Sequence, residues 1–384
     1  MLHGKKLIEI RKSGFVNKGA ELMLYAVLEK IKQEFPDAKF VMETSSDAPY
    51  ERRALLGFYQ KPSLFRLGFQ FGELFRLVPN IVKKMLGIVD DKKIDVVIDI
   101  AGFLYSDQWG VRSSQELANS CERWKKNDTI VILMPQAFGP FNTPRIRKYI
   151  KNAIDNADLV FAREKISYEY LVDVIGKRSS LKMAPDFSNL IQGVLPEDFD
   201  TENNRFCLVP NYRMVDKTSK EKSAAYLPFM IKCAEYLVEK GKKPFVLVHE
   251  GANDLMLAEA MNKAVGGVMP IVKETHALKI KGILGACEGT VGSRFHGLVS
   301  ALSQGVPALA TGWSHKYQML FEDYGFPCGV LDVTCSEEEL HKKLDLLIEP
   351  DSKAKIEESI KKEAENLKGE SERMWSEVMA VLKS

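Results

Sequence analysis

The chain lacks most of the patterns that announce a common site. Its six cysteines are scattered over 384 residues with no Cys-x-x-Cys pair, which argues against a zinc ribbon, a redox dithiol or a disulfide framework and fits a reduced, cytoplasmic setting. The formal net charge is only +2, too balanced to imply nucleic-acid binding. There is no Gly-x-Gly-x-x-Gly, so no dinucleotide is inferred. No carboxylate cluster points to an obligatory metal. Internal repeats and low-complexity tracts are missing. The first residues, MLHGKKLIEI, are too short in apolar core for a signal peptide. The least charged long stretch, residues 295–313, is interrupted by glycine and proline and does not read as a membrane span. What remains, 45% hydrophobic and 28% charged, is the composition of a soluble globular protein, and the length suggests two domains.

The chemistry is concentrated in residues 291–317, VGSRFHGLVSALSQGVPALATGWSHKY. A short β-type run meets Ser293, Arg294, Phe295 and His296, and a helix-like segment follows until Gly305 and Pro307 break it. Residues 307–310 read as the next strand, with Trp313, Ser314, His315 and Lys316 just beyond it. Two successive strand-to-helix turns thus carry basic and imidazole side chains. In an open α/β sheet such turns lie at the carboxyl ends of strands, where ligands bind, and a helix N-terminus there offers N–H groups to an anion. The predicted ligand is small and strongly negative. The same residues also have ordinary readings: a histidine on such a turn is often a hydrogen-bonded structural residue, and Arg294 alone reads as a surface ion pair of little worth.

The rest of the chain alternates strand-like and helix-like segments. Strands are expected at 6–10, 39–43, 95–100, 129–134 and 159–162, and again at 206–210 and 244–249, with helices between them. That alternation argues for parallel sheets wrapped by helices. Asn17 sits in the loop before the first helix, as a ligand contact or as a turn or cap residue. Arg163 stands at a carboxyl strand end, suited to a carboxylate or phosphate through paired N–H bonds, or else paired with Glu164, Glu169 or Asp155. His249 also ends a strand, with substrate contact and an unremarkable strand-end role both open. The polar stretch 192–204 reads as a linker. The expected division is 1–195 for a first domain, 205–350 for a second, and 351–384 for a C-terminal helix.

Residues 54–87 mix phenylalanine and leucine with Arg66, Arg76, Lys83 and Lys84. They read either as a helical insert burying an aromatic stripe or as a basic amphipathic surface lying on a membrane. Aromatic stripes at helical spacing usually pack inside, which favours the first reading.

The 291–317 segment resembles the signature of the polysaccharide pyruvyltransferase family, with Ser-Arg-Phe-His-Gly and Trp-Ser-His-Lys-Tyr in the same order and close spacing. Weaker echoes are Asn17-Lys18-Gly19-Ala20-Glu21, resembling an Asn-x-Gly-Asp-Glu loop, then Arg163-Glu164 with Ser167, and Pro185-Asp186. Ala20 departs from the family's Asp, which puts an acid role there in doubt, although Glu21 is adjacent. The resemblance implies two Rossmann-like α/β domains in a glycosyltransferase-B-like arrangement with a central cleft, 1–195 on the acceptor side, 205–350 on the donor side, and the helix 351–384 returning toward the first. It implies transfer of a pyruvyl group from phosphoenolpyruvate to two hydroxyls of a sugar, giving a pyruvate ketal and phosphate, with no cofactor. His296 is then the general acid/base, and Arg163, Arg294 and Lys316 hold the donor. Asn17, Ser293, His249 and His315 are the expected binding residues. The acceptor is a polysaccharide or lipid-linked saccharide, which leaves open a peripheral contact with the inner face of the cytoplasmic membrane, and an oligomer. The rival readings are a nucleotide-sugar glycosyltransferase, a non-catalytic sugar- or anion-binding protein and a membrane-surface scaffold.

Overall fold

A computed structural model describes residues 6–66, 69–312 and 314–383; Leu67, Gly68, Trp313 and the side chains of Phe69, Glu73 and Arg76 lie outside the description. The chain forms two compact units, Met1–Phe187 with Glu370–Ser384, and Ser188–Gly369.

The first unit is built on strands β1 (Leu7–Arg11), β2 (Lys39–Glu43) and β3 (Tyr59–Lys61), a two-stranded antiparallel pair β4 (Phe65–Arg66) and β5 (Phe69–Gln70), and then β6 (Val96–Asp99), β7 (Ile130–Gln136), β8 (Leu159–Ala162) and β9 (Leu181–Met183). Seven of these make one sheet in the order β3-β2-β1-β6-β7-β8-β9, parallel throughout. Central strands such as Val96-Val97-Ile98 are buried throughout, as expected for a parallel sheet covered on both faces. The second unit has β10 (Phe206–Val209), β11 (Pro244–Val248), β12 (Ile271–Lys273), β13 (Gly289–Gly292) and β14 (Ala308–Ala310), in the order β12-β11-β10-β13-β14, again all parallel. The α/β class and the paired parallel sheets agree with expectation. The short outer strands β9 and β12 were not foreseen, because three residues carry too little pattern to separate strand from loop.

Two sequence-based expectations change. The stretch 192–204 belongs to the second unit: the Val194 N–H donates to Leu278 O at 2.9 Å, and a Cβ on Gly193 would lie 2.5 Å from Gly282 N. Residues 54–87 are not a buried helical pair. Pro62, Gly72 and Pro79 break the helix, leaving β3, the β4–β5 pair, a 3₁₀ segment Phe71–Leu77 and a two-turn helix Asn80–Met85. Leu74, Leu77, Ile81 and Met85 of this region are exposed rather than core.

The C-terminal helix, Pro350–Lys383, gives its last turns to the first unit. There the Trp375 and Phe187 rings meet at 6.0 Å, and Lys30 pairs with Glu372 at 2.6 Å.

The first unit also carries buried charge under the Val111–Lys125 helix. Arg11, 1% exposed, donates through Nη2 to both Glu116 oxygens at 2.8 Å, and its Nε lies 3.2 Å from Asp99. Beside it Lys61 pairs with Glu9 at 2.6 Å and Asp91 at 3.1 Å, while Asp91 also accepts from Arg123 and Trp124. Burial alone would raise Glu116, but Arg11 and then Lys12 hold its carboxyl at about 2. Asp91 is likewise lowered: burial opposes it, and Lys61 and Arg123 prevail. Carboxylates depressed in the folded state stabilise it above their ordinary range, and that stability is lost on acidification. Glu9 is pushed by burial up to about 7 despite Lys61. Its effect has the opposite sign and lies above pH 4.5, so the two windows do not overlap.

Stability should therefore fall between pH 4.5 and about 2. Glu116→Gln should flatten that acid branch and cost about 3 kcal/mol at neutral pH, since it leaves Arg11 partly unpaired in the interior. Urea midpoints measured across this pH range check both; an unchanged acid branch would remove Glu116 as its source.

Candidate functional site

The order of the second sheet reverses between β10 and β13, which run outward to opposite edges. Ligand-binding crevices form at such a switch, outside the carboxyl ends of the strands. The residues that follow each strand there are Asn211 and Tyr212 after β10, His249 and Glu250 after β11, Ser293 and Arg294 after β13, and Thr311 and Gly312 after β14.

Ser293 is fully buried and pinned from three sides. Its carbonyl accepts from Asn211 Nδ2 at 2.7 Å and from the Tyr317 hydroxyl at 2.9 Å, and its hydroxyl shares a 3.0 Å hydrogen bond with Tyr226. Burial pushes the Tyr226 phenol well above its usual range, so it stays a neutral donor or acceptor here. Tyr317 can reach Ser293 because Gly312 has no side chain: a Cβ there would stand 2.2 Å from the Tyr317 ring. Gly297 lies in ordinary contact range of His249 Cδ2, 3.6 Å from where a Cβ would stand, so the buried His249 ring lies against the first turn of the Phe295–Leu302 helix.

Arg294 caps that helix by position and points its guanidinium at acids. Nε reaches Asp254 Oδ2 at 3.0 Å, Nη2 reaches both Asp254 oxygens at 2.8 and 2.6 Å, and Nη1 bonds to Glu250. Asp254 is fully buried and also accepts from Tyr212 N at 3.0 Å. Burial would lower the Arg294 pKa, but Asp254 and then Glu250 raise it above the ordinary value. The ordinary reading of Arg294 as an exposed ion pair therefore gives way to a nearly buried, multiply bonded one.

His296 follows, half-buried, its ring edge-on to Phe295 at 5.4 Å. Lys316 holds its ammonium 5.1 Å from the Phe295 ring centroid and 5.4 Å from that of Tyr317, within cation–π range. Phe295 and Tyr317 are themselves edge-on at 5.9 Å. The sheet thus brings Ser293, Arg294, His296, Lys316 and His249 to one end of one unit. His315 opens the His315–Asp323 helix and is half-buried beside them in sequence.

Asn17 and Arg163 belong to the other unit. Asn17 is exposed, and its Oδ1 accepts from Gly19 N at 2.9 Å and Ala20 N at 3.1 Å, capping the Lys18–Glu34 helix. The neighbouring Glu21 is buried between Lys18, Arg52 and Tyr25. Arg163 is buried at the end of β8 and its Nη1 lies 3.2 Å from Asp186. Glu164 caps the Lys165–Ile175 helix through Ser167 N at 2.8 Å, and the Ser167 hydroxyl accepts from Phe138 N at 2.7 Å.

Asp254, Glu250, Asn211 and Tyr226 escaped the sequence reading. Acids in the first turn of a helix are common for dipole reasons alone, which masks a pair whose partner lies forty residues away. Among the described residues no group of three or more His, Cys, Asp or Glu side chains is placed to hold a metal ion. Nor, among them, is any helix long and apolar enough to cross a membrane.

The model of the polysaccharide pyruvyl transferase family matches residues 17–315. Similar solved structures include UDP-GlcNAc 2-epimerase from Neisseria meningitidis bound to UDP-GlcNAc, at TM-score 0.60 and 11% identity, covering 99% of this chain and 100% of that one. The S. aureus MnaA–UDP co-structure matches at TM-score 0.62 and 12% identity, over 99% and 97% of the two chains. A glycosyltransferase from Rickettsia africae matches at TM-score 0.56 and 14% identity, over 98% and 99%. At these identities the likeness is one of fold, that of the glycosyltransferase-B class.

Asp254→Ala should cost about 3 kcal/mol, since it strands a nearly buried guanidinium. Asp254→Asn should recover part of that by keeping the Tyr212 bond. Urea unfolding of both variants measures the difference, and a cost near zero for Asp254→Ala would show that Arg294 is held by Glu250 alone.

Proposed function

Because the chain belongs to the polysaccharide pyruvyl transferase family, we propose that it transfers the pyruvyl group of phosphoenolpyruvate to two hydroxyls of a sugar in a cell-surface polysaccharide or its lipid-linked precursor. The observation that carries this reading is the cluster at the carboxyl end of the second sheet. There His296 and Lys316 share the Phe295 ring as neighbour, within and directly after the matched segment. A donor drawn from central metabolism puts the reaction in the cytoplasm.

Phosphoenolpyruvate carries a phosphate and a carboxylate on one vinyl carbon, and a dense anion leaves water only for matched cations. Lys316 supplies one such charge, and the adjacent helix N-termini supply backbone N–H donors. Arg294 is fixed by Asp254, and an incoming carboxylate or phosphate would replace Glu250 on Nη1. Arg163 is proposed as a further donor contact, with Ser293, His315, His249 and Asn17 as binding residues. The methylene carbon is protonated and becomes the methyl group. One sugar hydroxyl attacks the carbon bearing phosphate, the C–O bond to phosphate breaks, and the second hydroxyl closes the ketal. Of the two hydroxyl protons, one ends on the methyl carbon and one on the departing phosphate. His296 is the acid/base for these transfers, a role worth about 10²–10⁴-fold in rate. The reaction balances with no cofactor.

The solved structures of similar fold that bind UDP favour a second reading, a nucleotide-sugar glycosyltransferase. The two separate by ligand-dependent melting. Phosphoenolpyruvate in large excess should raise Tm, by an amount equivalent to about 2.7 kcal/mol at a hundredfold excess over Kd, and UDP should leave it unchanged. Stabilisation by UDP alone would favour the alternative. Lys316→Ala should remove the phosphoenolpyruvate shift. His296→Ala should keep that shift but lose acceptor-dependent phosphate release, by about 10²-fold or more; full release in that variant refutes the acid/base role, and binding without any turnover in the wild type would leave an anion-binding protein.

A further inference from the structure

Eleven of the eighteen large apolar side chains that stand exposed among the described residues fall between Tyr50 and Leu86. Leu77 is 76% exposed, Ile81 71% and Met85 80%. Isolated exposed leucines need no explanation, but contiguous apolar exposure marks a docking surface. Here it is carried by consecutive short elements, the Phe71–Leu77 3₁₀ segment and the Asn80–Met85 helix.

The same surface is basic where it is exposed. Arg66 and Lys84 stand exposed there, and Lys83 is buried and paired with Asp90 at 2.8 Å. Phe75, itself exposed, also lines a cavity of about 460 Å³ whose wall carries Lys61, Lys92, Lys93, Arg123 and Lys126 against Asp90 and Asp91. Lys61 and Arg123 are paired with Asp91; Lys92, Lys93 and Lys126 stand exposed, with Lys93 3.7 Å from Asp90 and Lys126 2.8 Å from Glu122. Apolar side chains flanked by cations, beside a pocket with a cationic rim, match the two layers of an acidic bilayer surface: acyl chains at the headgroup boundary and phosphates above them.

We propose that the Phe71–Leu77 and Asn80–Met85 segments, with the cavity beside them, dock the first unit on a membrane surface rich in anionic phospholipid. The apolar side chains of the 3₁₀ segment and the following helix enter the headgroup boundary, and Lys92, Lys93 and Lys126 face lipid phosphates. The contact is peripheral and reversible. A protein partner would be expected to meet available charges of both signs at the rim, whereas Asp90 and Asp91 here are taken up by Lys83, Lys61 and Arg123. The inference is independent of the donor site, because its readout needs no substrate.

The full chain should co-sediment with mixed phosphatidylcholine–phosphatidylglycerol vesicles, more weakly with phosphatidylcholine alone, and less as salt is raised. Leu74→Ser combined with Leu77→Ser and Ile81→Ser should lower vesicle affinity by at least about tenfold without lowering Tm, since these side chains are already exposed. Lys92→Glu with Lys93→Glu should lower it by about tenfold or more on the acidic vesicles only. The proposal is overturned if the wild type binds neither vesicle, if it binds both equally, or if the triple variant binds as well as the wild type. It is also overturned if sedimentation velocity shows a dimer that the triple variant dissociates while vesicles are ignored, which would assign the surface to a second copy of the chain.

Discussion

The Ser293 carbonyl oxygen receives two hydrogen bonds, from the Asn211 amide at 2.7 Å and the Tyr317 hydroxyl at 2.9 Å, and the proposed site takes its shape from them. Asn211 follows β10, Ser293 follows β13, and Tyr317 lies on the helix after β14. One buried acceptor therefore ties together the ends of three strands. A buried carbonyl left without donors costs about 1–3 kcal/mol, so the three elements are held in a single relative arrangement. Arg294 and His296, the next residues along, have their directions set before any ligand arrives.

The charge partners extend this arrangement. Asp254 fixes Arg294 and at the same time accepts from Tyr212 N, so β10, the helix after β11, and the turn after β13 share one carboxylate. In the first unit the equivalent switch, between β1 and β6, is closed by Arg11, Asp99 and Glu116. Each sheet thus has a carboxylate-paired arginine at the point where its strand order reverses. In the first unit that arginine lies within the interior, 1% exposed. In the second it lies at the surface of the unit, its side chain 11% exposed, beside a half-buried histidine and Lys316.

The strand pattern of both sheets was legible because buried parallel strands are runs of Val, Ile and Leu, and the helices between them carry a 3.6-residue period. The Ser-Arg-Phe-His and His-Lys pairs were legible as strand-end residues. Their partners were not: Asp254 looks like any acid in a first helical turn, and Gly312 gives no sign in sequence that Tyr317 will lie on it. Arg11 and Glu9 do leave a trace, two charges alternating with apolar residues inside the strand LIEIR. The 3.2 Å pairing of Arg163 with Asp186 joins segments twenty-three residues apart, beyond what periodicity reports. In residues 54–87 the aromatic spacing suggests helices, but Pro62, Gly72 and Pro79 break them.

The C-terminal helix reaches its end in the first unit, where Met374, Trp375, Val378 and Leu382 are buried. The ribosome delivers those side chains only after every residue of the second unit. Domains usually fold one after another as they are synthesised, but here the earlier-made unit waits, with an apolar seat near Phe187 still uncovered, for the latest-made helix. A nascent chain therefore passes through a long interval in which this seat is open to chaperones.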